Sequence, residues 1–200
     1  MNNIETFNRA LFLLINGGDG TPPWLVNIAI GIADGLIYLI PALLPSLWLW
    51  GDRTRRSQAI KACLVTLAAL GANQVIGLLW THPRPFMVGL GHAWLYHAPD
   101  SSFPSDHMTV FASVGLTLLF SGAIRLGGAV LVAGLTVAWA RVFLGVHFPF
   151  DMVGAVAVAG VAYGVIASMW HPIGEPLVTL AERLYRTLLA RPIAAGWVRH

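Results

Sequence analysis

Two arginines, three histidines, a serine and two aspartates fall in three short stretches: HPRPF at 82–86, FPSDH at 103–107 and RVFLGVHFPFD at 141–151. Each stretch lies where a long apolar run meets a loop. Ionisable side chains in or near lipid are costly and are usually kept there for chemistry. Guanidiniums to grip an anion, imidazoles and a carboxylate together suit phosphoryl transfer from a membrane-borne substrate.

His147 and Asp151 are four residues apart, so a helix opening at 148–151 brings their side chains onto one face. A carboxylate on one imidazole nitrogen fixes the tautomer and leaves the other nitrogen as a nucleophile; a purely structural pair is the competing reading. Arg141, six residues earlier, and Arg84, held between Pro83 and Pro85, offer planar forks of donors matched to phosphate oxygens. Interfacial helix anchors are the plain alternative for both. Ser105 or Asp106 is placed to cap the following helix, whose free N–H groups and dipole favour an anion. His107 follows in the first turn, where an ordinary pKa of about 6.5 suits a proton donor to a leaving oxygen. His97 and Asp100, upstream in HAPD, are placed to pair at the mouth of such a site.

These residues need a scaffold. Apolar residues make up 56% of the 200 and charged ones only 10%, against about 25% charged in ordinary soluble proteins. The expected fold is therefore all-α, a single membrane-embedded helical bundle. Five runs, near residues 24–50, 57–80, 106–120, 123–143 and 150–170, approach the ~20 residues needed to cross a bilayer. The third is short, and the first is expected to kink at Pro41 and Pro45. Residues 1–20 read as an amphipathic interfacial helix with Ile4, Phe7, Leu11 and Leu14 on one face. They lack the basic stretch of a cleavable signal. The tail, 171–200, reads as a second interfacial helix with Leu177, Leu180, Ala181, Leu184 and Leu188 on its apolar face. Cys63 is expected to be a buried small side chain, and Asp34 an intramembrane hydrogen-bonding residue. Phe86, Trp94, Tyr96 and Phe103 suit the headgroup level. The net charge of +3 is no argument for a nucleic-acid partner.

With five crossings, Arg53, Arg55, Arg56, Lys61, Arg125, Arg183, Arg186, Arg191 and Arg199 share one face, nine of the twelve Lys and Arg. Basic loops stay cytoplasmic. The opposite, extracytoplasmic face then holds all three stretches, with only Arg9, Arg84 and Arg141 as basic residues.

The ordered set RP, PSxH and R-x5-H-x3-D resembles the type 2 phosphatidic acid phosphatase superfamily. The forms HPRPF and SFPSDH, with HAPD upstream, are most similar to the bacitracin-resistance-type undecaprenyl-diphosphatases. That resemblance implies hydrolysis of an isoprenyl diphosphate lipid in the bacterial cytoplasmic membrane, from its extracytoplasmic side, recycling the cell-wall carrier lipid. It implies His147 as nucleophile, Asp151 as its orienter, His107 as acid and then base, and Arg84, Arg141 and Ser105 as phosphate ligands. No metal, cofactor or nucleic acid is implied, and the partners are the lipid substrate and surrounding membrane lipids. Two positions depart from the broad pattern: Gly77 stands where the superfamily has a lysine, and Ala140 where it has a serine. Asn73, Gln74 or His82 is expected to supply replacement hydrogen bonds, with Asp106 also near the anion. A phosphatase or phosphotransferase for another lipid phosphate shares these motifs, and a non-enzymatic lipid carrier is the alternative of another class.

Overall fold

The computed structural model describes residues 3–199, which form helices joined by turns and loops. The elements are α1 (Asn3–Ile15), α2 (Pro23–Gly35), a 3-10 turn (Leu36–Tyr38), α3 (Leu39–Trp50), α4 (Arg53–Leu79), a second 3-10 turn (Pro85–Val88), α5 (Asp106–Phe120), α6 (Ile124–Phe143), α7 (Pro149–Leu188) and α8 (Ala190–Ala194). The α2–α3 run Pro23–Trp50, together with α4, α6 and α7, is long and apolar enough to cross a membrane. The 15 residues of α5 span only about 22 Å. It coincides with the short third run read from the sequence, but falls below the length of the four spanning candidates.

Local chemistry explains the boundaries. Pro23 opens α2, where its missing N–H costs nothing. Pro41 cannot donate to the carbonyl four residues back, and the run tightens into the 3-10 turn just before it; Pro45 is carried inside α3. Asp52 caps α4, its Oδ1 accepting the Arg55 N–H at 2.9 Å. Asp151 anchors the start of α7 by accepting the Phe148 N–H at 2.8 Å.

Helix α5 is the hub, packed by α4, α6 and α7. Small residues permit that closeness, as is usual where lipid supplies no hydrophobic drive between helices. A Cβ at Gly127 would come within 2.4 Å of the Leu119 nitrogen, so the α5–α6 crossing requires glycine there. Met108, Phe111, Ala112, Val114 and Leu118 fill the surrounding core.

Three expectations change. The tail is not a separate helix: α7 continues through Pro172 and Pro176 to Leu188. Ion pairs from Arg53 to Glu175 (2.7 Å) and Glu182 (2.6 Å) tie it back to α4, and the Arg199 N–H reaches the Leu49 carbonyl. Its inward side is Val178, Glu182 and Tyr185, while Leu177, Leu180, Leu184 and Leu188 are exposed. Cys63 is also exposed, on the outside of α4. Asp34 is exposed near the end of α2 and has no hydrogen bond to another described residue; its charge acts on Arg141. Helix α1 keeps Ile4, Phe7 and Leu14 exposed and buries Phe12 and Asn8.

Candidate active site

One end of the bundle gathers the chemistry. The loops after α4 and α6 and the start of α5 surround a cavity of about 340 Å³ lined by Arg84, His97, Asp106, His107, Arg141 and His147, among others. The three stretches, separated by up to 69 positions, therefore share one site.

His147 lies in the turn between α6 and α7. Gly145 makes that turn possible: its φ is +80°, and a Cβ there would fall 2.2 Å from the His92 carbonyl oxygen. The imidazole is 2% exposed. Its Nδ1 lies 3.2 Å from Asp151 Oδ2, and its Nε2 lies 3.1 Å from Arg84 Nη1. A proton on Nδ1 donated to Asp151 leaves Nε2 as the lone-pair nitrogen beside the cavity. Burial, reinforced by the charges of Arg84 and Arg141, holds the His147 pKa well below the ordinary histidine value. The ring is therefore neutral at pH 7.

Arg84 is 4% exposed and every nitrogen is engaged. Nε donates to Asp100 Oδ1 at 2.8 Å, Nη1 to the Val146 carbonyl at 3.1 Å and Nη2 to the Ser101 carbonyl at 3.2 Å. Burial alone would raise the Asp100 pKa; the Arg84 hydrogen bond and the charges of Arg84 and His97 together outweigh it, and the carboxyl titrates below its usual value. Arg141, buried at the end of α6, is less committed. Its Nη1 lies 3.4 Å from His107 Nε2, and its buried Nε has no partner. A buried, unsatisfied guanidinium donor is costly and is suited to an arriving anion.

The remaining expected residues divide. Asn73 reaches the cavity, its amide donating to Asp106 Oδ1 (2.8 Å) and Thr109 Oγ1 (2.9 Å). Gln74 is exposed on the same wall, beside Gly77, where a side chain would meet only Ser101. His97 lies 3.6 Å from Asp100. Ser105 is the N-cap of α5 but makes no side-chain cap bond; its Oγ is buried, without a partner and off the cavity wall. His82 also lies off that wall, 3.6 Å from Glu5 and edge-on to Phe148. Its carbonyl holds the Ser102 N–H at 2.7 Å, a role in shaping the loop.

Sequence reasoning missed Ser102. This fully buried hydroxyl donates to Asp151 Oδ2 and lies 3.4 Å from His147 Nδ1. The doubled serine before FPSDH was visible, but nothing in its spacing pointed to a carboxylate 49 residues away.

Comparison with known proteins adds an independent line. Residues 58–174 match the PAP2 superfamily. The chain is 37% identical over 196 residues to "Putative undecaprenyl-diphosphatase YbjG" of Escherichia coli (strain K12), covering 98% of this chain and 99% of that one. It is 29% identical over 182 residues to undecaprenyl-diphosphatase BcrC of Bacillus subtilis (strain 168), covering 91% and 93%. A transmembrane PAP2-type phosphatidylglycerolphosphate phosphatase from Bacillus subtilis shares the fold, with a TM-score of 0.61 at 20% identity over 86% of this chain and 89% of that one. The four long apolar runs of this chain make it a multi-pass membrane protein.

Proposed function

Because this chain belongs to the PAP2 superfamily, we propose that it hydrolyses undecaprenyl diphosphate to undecaprenyl phosphate and inorganic phosphate, as the names of its relatives indicate for them. The observation that carries the reading is a neutral, buried His147 backed by Asp151 and opening onto a cavity that also presents Arg84, Arg141 and His107.

In this mechanism the diphosphate enters with its terminal phosphoryl group against His147 Nε2. Arg84 Nη1 moves from Nε2 to a phosphoryl oxygen, and the unpartnered Nε of Arg141 gains an oxygen of its own. Both arginines then oppose the charge that spreads over the equatorial oxygens. The Nε2 lone pair forms an N–P bond as the bridging P–O bond breaks. With the negative charge of the diphosphate beside it, His107 takes up a proton and gives it to the departing undecaprenyl phosphate. Asp151, steadied by Ser102 and the Phe148 N–H, offsets the positive charge on the phosphorylated imidazole. Water then attacks the phosphohistidine, His107 accepts its proton, and phosphate leaves with Nε2 restored.

Ser105 serves this scheme through the backbone at the α5 N-terminus, since its hydroxyl lies off the cavity wall. Gln74 is the free side chain best placed to stand in for the superfamily lysine missing at Gly77, with Asn73 committed to Asp106 and Thr109. The basic end, with Arg53, Arg56 and Arg186, faces the cytoplasm, so the site faces the extracytoplasmic side of the bacterial membrane. Product formed there re-enters carrier-lipid recycling for the cell wall, and consuming the diphosphate blunts bacitracin.

Substrate comparison tests the reading. In detergent, kcat/KM for undecaprenyl diphosphate is expected to exceed that for phosphatidate and phosphatidylglycerophosphate; a preference for either monoester would replace it.

A further inference from the structure

The end of the bundle opposite the active site holds a second polar cavity of about 320 Å³, whose walls include Arg53, Ser57 and Lys61 of α4, Ser121 after α5, and Trp170 and Glu175 of α7. Lys61 is the unusual member. It is 9% exposed, and its ammonium lies 4.9 Å from the Tyr163 ring centroid and 5.7 Å from that of Trp170. Among the described residues it meets no carboxylate, carbonyl or hydroxyl.

Its neighbours are matched. Arg53 Nη2 donates to Glu175 at 2.7 Å and to Thr179 Oγ1 at 2.9 Å, and Arg53 Nη1 to Glu182 at 2.6 Å. Arg56 reaches Glu182 at 3.4 Å and the carbonyls of Trp48 and Arg199. Glu175 is the carboxylate on the cavity wall, and Arg53 already holds it. Lys61 is thus left, its stem buried, as a cation without an anion, and aromatic faces supply only part of what an anion would. The space beside it is bordered by the hydroxyls of Ser57 and Ser121. Lys61 lies eight residues along α4 from Arg53, about 12 Å, within reach of the headgroup layer for a long stem that snorkels. Twelve residues, about 18 Å, separate it from Asn73 at the catalytic cavity.

We propose that this cavity binds a phosphate-type oxyanion with Lys61 as its counter-charge, carried either by the headgroup of an anionic phospholipid or by free phosphate. The site is independent of the diphosphatase reading.

Thermal unfolding in neutral detergent tests it, with dioctanoyl phosphatidylglycerol and inorganic phosphate as separate probes. At least one probe is expected to raise the unfolding temperature of the wild type. That shift is expected to weaken by about tenfold or more in apparent affinity in Lys61→Gln and to be kept in Lys61→Arg. A Lys61-dependent shift with the lipid alone assigns the headgroup; the same shift with phosphate assigns the free anion. The shift is also expected to persist in Arg84→Ala, which separates it from binding at the active site. If Lys61→Gln does not fold, Ser57→Leu fills the cavity without touching an ion pair, and it too is expected to lose the shift. No shift in the wild type, or equal shifts in wild type and the cavity variants, overturns the proposal.

Discussion

Replacing Ser102 with alanine isolates the support behind the nucleophile. Asp151 Oδ2 receives the Ser102 hydroxyl and the Phe148 N–H (2.8 Å) and faces His147 Nδ1 at 3.2 Å. The variant removes one neutral donor to a buried carboxylate and leaves the other contacts in place. Hydrogen bonds to charged groups contribute about 1.5–3 kcal/mol, so kcat is expected to fall about ten- to a hundredfold, at roughly 1.4 kcal/mol per decade. The loss belongs in kcat because the imidazole gains positive charge in the phosphorylated state, when a well-held carboxylate counts most. KM is expected to hold, since Ser102 is fully buried and off the cavity wall. Steady-state phosphate release from undecaprenyl diphosphate, with thermal unfolding to verify folding, reads both quantities. A folded Ser102→Ala enzyme with wild-type kcat, or one altered only in KM, would refute the reasoning.

Three further outcomes follow from the same geometry. The acid limb of the pH profile of kcat/KM is expected below about 6.5: the nucleophile is the neutral imidazole, and its lowered pKa keeps it neutral until the pH falls further; a limb at or above that value contradicts the assignment. Glu182→Gln is expected to destabilise the fold by about 3 kcal/mol, the lower end for breaking a buried pair, because Arg56 loses its carboxylate but keeps two carbonyls and stacks on Tyr185; thermal or denaturant unfolding in detergent checks this. Gly154→Ala places a Cβ about 2.2 Å from the Phe103 ring, and is expected to cost about 1–3 kcal/mol by overpacking and to lower activity, since the displaced loop carries Ser101 to Ser105; unchanged activity and stability would show that the ring moves freely.

Much of this arrangement was legible in the sequence because membrane proteins confine ionisable residues so severely. Arg84, His107, Arg141, His147 and Asp151 stood out as costly groups at the ends of apolar runs, and counting crossings put all five at one end of the bundle. The four-residue spacing of His147 and Asp151 translated directly into their contact. What escaped detection depends on distant partners. Ser102 looks like any loop serine until the start of α7 brings Asp151 against it. His82 sat inside a motif, yet its backbone carbonyl and its ring edge, not a cavity-facing nitrogen, do the positioning. The tail had the period of an interfacial helix, but period alone cannot reveal that Glu175 and Glu182 bind Arg53 and Arg56, more than a hundred residues earlier. Lys61 read as one more member of a basic cluster, and its isolation between two rings emerged only from packing.

The central claim is that His147 is the nucleophile of a lipid diphosphatase. Its most direct test is phosphate release from undecaprenyl diphosphate in detergent containing EDTA, comparing wild type with His147→Ala. The account requires release by the wild type that EDTA leaves intact and that vanishes in a folded His147→Ala variant. Release that survives the substitution would contradict the nucleophile, and a folded wild type that releases no phosphate would contradict the diphosphatase.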